Sequence, residues 1–126
     1  MNPKLLAALI ILHALAHTVY LGQLFRWFTI PNLTFGGKSW LLDGIFANPP
    51  GSVVLASLIG LAMIGFMVAA IGLLGGASWS KGLLVVAAVL SSIAFILAWN
   101  GKVDKIMEQG VIGVVINIAL IYLASR

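Results

Sequence analysis

Four long apolar segments, Leu5–Phe25, Val53–Leu74, Leu83–Trp99 and Gly110–Ala124, occupy most of this 126-residue chain. An ordinary soluble domain is about half apolar. Here 62% of residues are apolar, 8% are charged, and the mean hydropathy is +1.16. In hydrocarbon every backbone N–H and C=O has to be satisfied within the segment, which leaves the helix as the form such runs can take. About 20 residues at about 1.5 Å each cross a core of about 30 Å. Each segment is apolar around its whole circumference, as a lipid-facing helix has to be. The predicted fold is all-α: an integral membrane four-helix bundle of up-down-up-down topology with one long first connection. One transmembrane domain covers 1–126, with spans at about 5–25, 53–74, 83–99 and 106–124.

The breaks between spans carry the expected punctuation. Pro49, Pro50 and Gly51 precede the second span, and Ser52 is its expected N-cap; Gly75–Gly76 ends it and Asn100–Gly101 ends the third. Short second and third connections force neighbouring helices to run antiparallel. The first connection, 30–52, opens with a breaker cluster around Pro31, Gly36 and Gly37. It continues as Ser39–Phe46, expected as one or two interfacial turns with Trp40, Leu41 and Phe46 inward. The first span has a weakly basic start, an apolar run about twice a signal-peptide core, and no clear small-residue cleavage site after it; it reads as a retained helix.

The net charge is +4, yet the basic residues lie singly at segment ends, where they anchor helices at headgroups. That pattern excludes nucleic acid as a partner and names the lipid bilayer instead. With no cysteine, the chain has no disulfide, thiolate nucleophile, Cys-ligated zinc, iron–sulfur cluster or covalently attached haem. Lys4, Lys81 and Arg126 fall on one side, and Arg26, Lys38, Lys102 and Lys105 on the other. Three basic residues against four decide nothing; the free amino terminus and the short loop tip the expectation toward cytoplasmic termini.

The chemically informative residues lie inside the spans. His13 and His17 are one helical turn apart on one face of the first segment. Ionisable side chains at such depth are costly and take partners. Counting residues from the charged ends gives depth. His13 is nine residues past Lys4 and Asn117 nine before Arg126, each about 13 Å inward at about 1.5 Å per residue. Ser91 and Ser92 follow Lys81 by ten and eleven residues, and Gly65 and Phe66 are at the matching level of the second span. The candidate ligand-binding residues are therefore His13, His17, Tyr20, Ser91, Ser92 and Asn117. Three readings of the imidazoles stand open. They cross-link helices by hydrogen bonds; or His13 and His17 ligate a metal, a haem or a chlorophyll-type pigment; or the slab holds a proton or a polar ligand such as a quinone head.

Small residues spaced for close packing, Ala56/Gly60, Gly65/Ala69 and Gly72/Gly76, mark the second span, and Gly110, Gly113 and Asn117 form one stripe on the fourth. Trp27, Trp40, Trp79 and Trp99 sit at predicted interfaces as aromatic anchors. Asp104 and Glu108 read as a solvated helix start. Met63 and Met67 read as core filling.

Leu12-His13-Ala14-Leu15-Ala16-His17, Ala98-Trp99-Asn100-Gly101 and Gly113-Val114-Val115-Ile116-Asn117 together resemble a loose group of short bacterial four-helix membrane proteins with an N-terminal HxxxH, often labelled permeases. The resemblance implies a four-helix bundle sharing the histidine pair, Trp99, Asn100 and Asn117; it implies no activity. With no complete catalytic constellation beside the histidines, the chain is expected to be non-enzymatic: an accessory or ligand-binding subunit of a bacterial inner-membrane assembly, with other membrane subunits or copies of itself as partners. The alternatives are a small oligomeric transporter or channel component, and a tetrapyrrole- or quinone-binding protein.

Overall fold

The computed structural model describes residues 2–28, 39–103 and 110–126. It is all-helical in these residues, with α1 (Pro3–Leu24), a 3₁₀ turn (Ile45–Ala47), α2 (Gly51–Leu74), α3 (Ser80–Ala98) and α4 (Val111–Ala124). The first three α-helices are long and apolar enough to cross a membrane; α4 is shorter in its described part. The expected start of the fourth span ahead of Val111, together with Asp104, Glu108 and the breaker cluster at 31–38, lies outside the described residues.

Two apolar clusters set the topology. The first gathers Leu6 and Ile10 from the start of α1, Phe66 and Ala69 from the second half of α2, Leu84 and Ala88 from the start of α3, and Leu120 and Ala124 from the end of α4. The second gathers Leu21, Leu55, Ile59, Ala94 and Ala98 from the opposite helix halves, with Phe46. Only successive antiparallel helices place those halves together. Alanine supplies over half of the buried apolar side chains. Lipid tails are as apolar as leucine, so helices in a bilayer associate by close van der Waals packing, which small side chains permit. A methyl on Gly65 would stand 3.0 Å from Ala87 Cβ, marking the tight α2–α3 approach, whereas Gly60 faces open space and takes no part in it. Outside, Leu5, Leu9, Leu12 and Leu15 of α1 and Ile112, Val115 and Ile118 of α4 are exposed, an apolar coat suited to lipid.

Helix ends follow local chemistry. Asn2 caps α1, its side chain accepting from Lys4 N at 2.8 Å with Pro3 in the first turn. Two helices end in the same Schellman geometry. Trp27 N donates to Gly22 O at 2.9 Å past α1, and Ala77 N to Gly72 O at 2.8 Å past α2. The left-handed residue is Arg26 (φ 58°) in the first and Gly76 (φ 72°) in the second. Ser52 is not an N-cap: α2 begins at Gly51, with Pro50 in the cap position and no side-chain cap bond. The helix starts two residues sooner than expected, straight after the prolines.

The first connection differs from the expected interfacial turns. Ser39 and Asp43 pair through their backbones, and of the three side chains expected inward only Phe46 is buried; Trp40 and Leu41 are exposed at 50% and 57%. Instead of lying flat, this segment ties down the end of α3. Trp40 Nε1 donates to Ile96 O at 2.6 Å, Trp40 N to Trp99 O at 2.7 Å, and Ser39 Oγ to Leu97 O. A helix leaves its last four carbonyls without intrahelical donors. Here a loop from the other half of the chain supplies donors for two of them, Ile96 O and Leu97 O.

Candidate functional site

The polar residues named from depth alone meet in the middle of the bundle. Ser92 Oγ donates to Ala88 O, one turn back on α3, at 2.8 Å. With its proton so used, Ser92 accepts from Asn117 Nδ2 at 3.1 Å. That orients the carboxamide, and Asn117 Oδ1 faces His13 Nε2 at 2.7 Å. A carbonyl oxygen only accepts, so His13 carries a proton on Nε2. The second imidazole follows the same logic. His17 Nδ1 lies 2.9 Å from His13 O and has to donate; Nε2 of the neutral ring then accepts from Ser91 Oγ at 2.8 Å. Two chains of directed hydrogen bonds thus join α1 to α4 and α1 to α3.

All of this is dry. Asn117 and Ser91 are fully buried, and His17 and His13 are 1% and 6% exposed. Phe66 of α2 closes the slab, its ring centroid 5.0 Å from that of His13 and 5.4 Å from that of His17, both edge-to-face. It occupies the level that the depth count gave it. The half-buried Tyr20 joins through Phe95, 4.7 Å between centroids, and Phe95 stands 5.6 Å from His17.

The two imidazoles do not converge on one point. Their rings are 5.0 Å apart and perpendicular, at 89°. Both nitrogens of His17 and Nε2 of His13 are held in hydrogen bonds. Among the described residues no three His, Cys, Asp or Glu side chains stand together as a metal set. An axial imidazole for a haem or chlorophyll-type pigment needs a free nitrogen facing a slot as wide as the macrocycle; His17 has no such nitrogen, and the His13 ring is flanked by both His17 and Phe66, each 5.0 Å between centroids. The residues do not fit a metal or tetrapyrrole.

Beside the slab lies an apolar pocket of about 230 Å³, lined by Trp40, Phe95, Ile96, Trp99, Gly110, Val111 and Val114. Both of its indole N–H groups are engaged, Trp40 Nε1 at Ile96 O and Trp99 Nε1 at Lys102 O, 3.0 Å. Gly110 makes this wall. Its φ of 93° suits glycine, and a methyl there would meet Phe95 Cδ1 at 2.5 Å. Phe95 belongs to both features: it lines the pocket and also stands edge-to-face with Tyr20 and His17. Sequence reading did not single out Phe95, although it lies one turn past Ser91 on the same face; Trp40 and Trp99 read as anchors because nothing local joins them.

No protein-family model, no curated protein and no solved structure matches this chain.

Proposed function

We propose that this chain is a non-enzymatic ligand-binding subunit of a bacterial inner-membrane assembly, with cytoplasmic termini, and a member of the loose HxxxH group of short four-helix proteins that its motifs resemble. Its ligand is a lipid-soluble molecule whose apolar ring or chain lodges between Trp40, Phe95, Trp99 and Val114. The observation that carries this reading is the contrast between two neighbouring features. The polar slab is tied up in internal hydrogen bonds, while the pocket beside it is open, aromatic, and offers no free indole N–H. Ligand pockets are mostly apolar, with few polar groups to fix orientation. A transporter reading draws less support, since His17, Ser91 and Asn117 are buried and held by fixed partners.

The test uses tryptophan emission. In a Trp27→Phe/Trp79→Phe background only Trp40 and Trp99, both on the pocket, emit. In lipid nanodiscs, 4-bromoanisole should quench that emission saturably. Val114→Phe, which fills the pocket, should leave only the linear quenching due to partition into lipid. Linear quenching in both proteins would sink the reading.

A further inference from the structure

His13 has one nitrogen left over. Its Nε2 proton goes to Asn117 Oδ1, and among the described residues nothing bonds Nδ1. It is not among the fully buried unpaired atoms, so it is open to an incoming donor, which hydrocarbon does not supply. The ring is not sealed on all sides. A methyl placed on Gly113 of α4 would lie 3.9 Å from His13 Cε1, the carbon between the two ring nitrogens, and also 3.9 Å from Phe95 Cε2, with no closer neighbour outside its own helix. Gly113 is itself only half-buried. The missing side chain therefore leaves a notch in which the edge of His13 and the wall of the aromatic pocket face the same point.

The occupant is constrained on three counts. It has to donate a hydrogen bond, because the neutral imidazole presents a lone pair at Nδ1. It has to be uncharged, because no charged residue lies between Lys4 and Arg26 or between Glu108 and Arg126 to balance a charge at this depth. Its body has to be apolar, because Phe95 and Val114 border the approach and the nearby indole N–H groups are taken. We propose that His13 Nδ1 is the polar contact of the ligand site: a lipid-soluble, uncharged alcohol or phenol donates its O–H to this nitrogen through the Gly113 notch, with its apolar body against Phe95. The inference rests on the pocket reading above and adds the functional group that fixes the ligand's orientation.

Two probes differing in one proton separate the two claims. The chain contains only two histidines, so ¹⁵N-histidine labelling gives a readable spectrum in nanodiscs. The acceptor nitrogen of a neutral imidazole moves upfield when it receives a hydrogen bond. 4-Bromophenol should shift His13 Nδ1 upfield saturably and leave the His17 signals in place. 4-Bromoanisole, which has no donor, should quench Trp40 and Trp99 without moving His13 Nδ1. In Gly113→Val the phenol-induced shift should be lost; Gly113→Ala, whose added methyl makes only ordinary contacts, should retain it. If both probes quench and neither shifts His13, the hydroxyl contact is wrong and the pocket stands. If the phenol shifts His13 while neither probe quenches, the contact stands and the pocket reading falls. A His13 Nδ1 already upfield without probe and unmoved by it means that a neighbouring protein group fills the notch, and the proposal is overturned. Equal shifts from both probes overturn it as well.

Discussion

His17 and His13 sit one turn apart and do different work. His17 is saturated: Ser91 donates to one nitrogen and the His13 carbonyl takes the proton of the other. His13 is half-used. Double-mutant cycles should report this pairing. In bilayers a hydrogen bond averages about 0.6 kcal/mol. His13/Asn117 and His17/Ser91 should each couple by about that amount when all four residues are replaced by apolar ones in turn. The crossed pair His17/Asn117 shares no direct hydrogen bond, only His13 as a common partner, and should couple less than either direct pair. Reversible unfolding in mixed micelles measures all three, and a crossed coupling as large as the direct ones would overturn the assigned network. The level of these residues was legible in the sequence because helical rise is fixed: nine residues in from either end is the same depth. Who meets whom was not, because partner choice depends on how each helix is rotated about its axis. Spans apolar all round carry almost no record of that rotation.

Helix ends repay the same scrutiny. The Schellman turns past α1 and α2 are alike except for the left-handed residue, Arg26 in one and Gly76 in the other. A side chain at Gly76 meets nothing, so substitution tests the backbone alone. Gly76→Ala should lower stability by about 1–2 kcal/mol, the cost of a left-handed L-residue, while Arg26→Gly should raise it. Thermal unfolding of the two variants against wild type reads both signs; a neutral Gly76→Ala would mean that the turn is not held as described. These ends were written in local sequence, in Gly75–Gly76 above all. The capping of α3 was not. Ser39 and Trp40 lie 58 and 56 residues from the carbonyls that their side chains serve, and no local pattern announces a bond over that separation. The pocket was hidden for the same reason, since its walls come from the first connection, α3 and α4.

At the scale of the molecule, four helices alternate direction and enclose a small, alanine-rich interior. The natural chain contains no cysteine, so single introduced thiols report topology cleanly. Ser78→Cys, between α2 and α3, and Lys102→Cys, past α3, should react with a membrane-impermeant maleimide from opposite sides of sealed vesicles. Labelling from the same side would overturn the alternating arrangement. The longest-range bond in this interior, His13 to Asn117, spans 104 residues. A ribosome adding about 5–20 residues per second takes about 5–20 s to make that stretch. Throughout that interval α1 is already synthesised, carrying imidazoles whose partners on α3 and α4 do not yet exist. The nascent first helix is therefore a poor free-standing lipid span, and the cell has to shelter it, in the insertion channel or beside a membrane chaperone, until the last helix arrives.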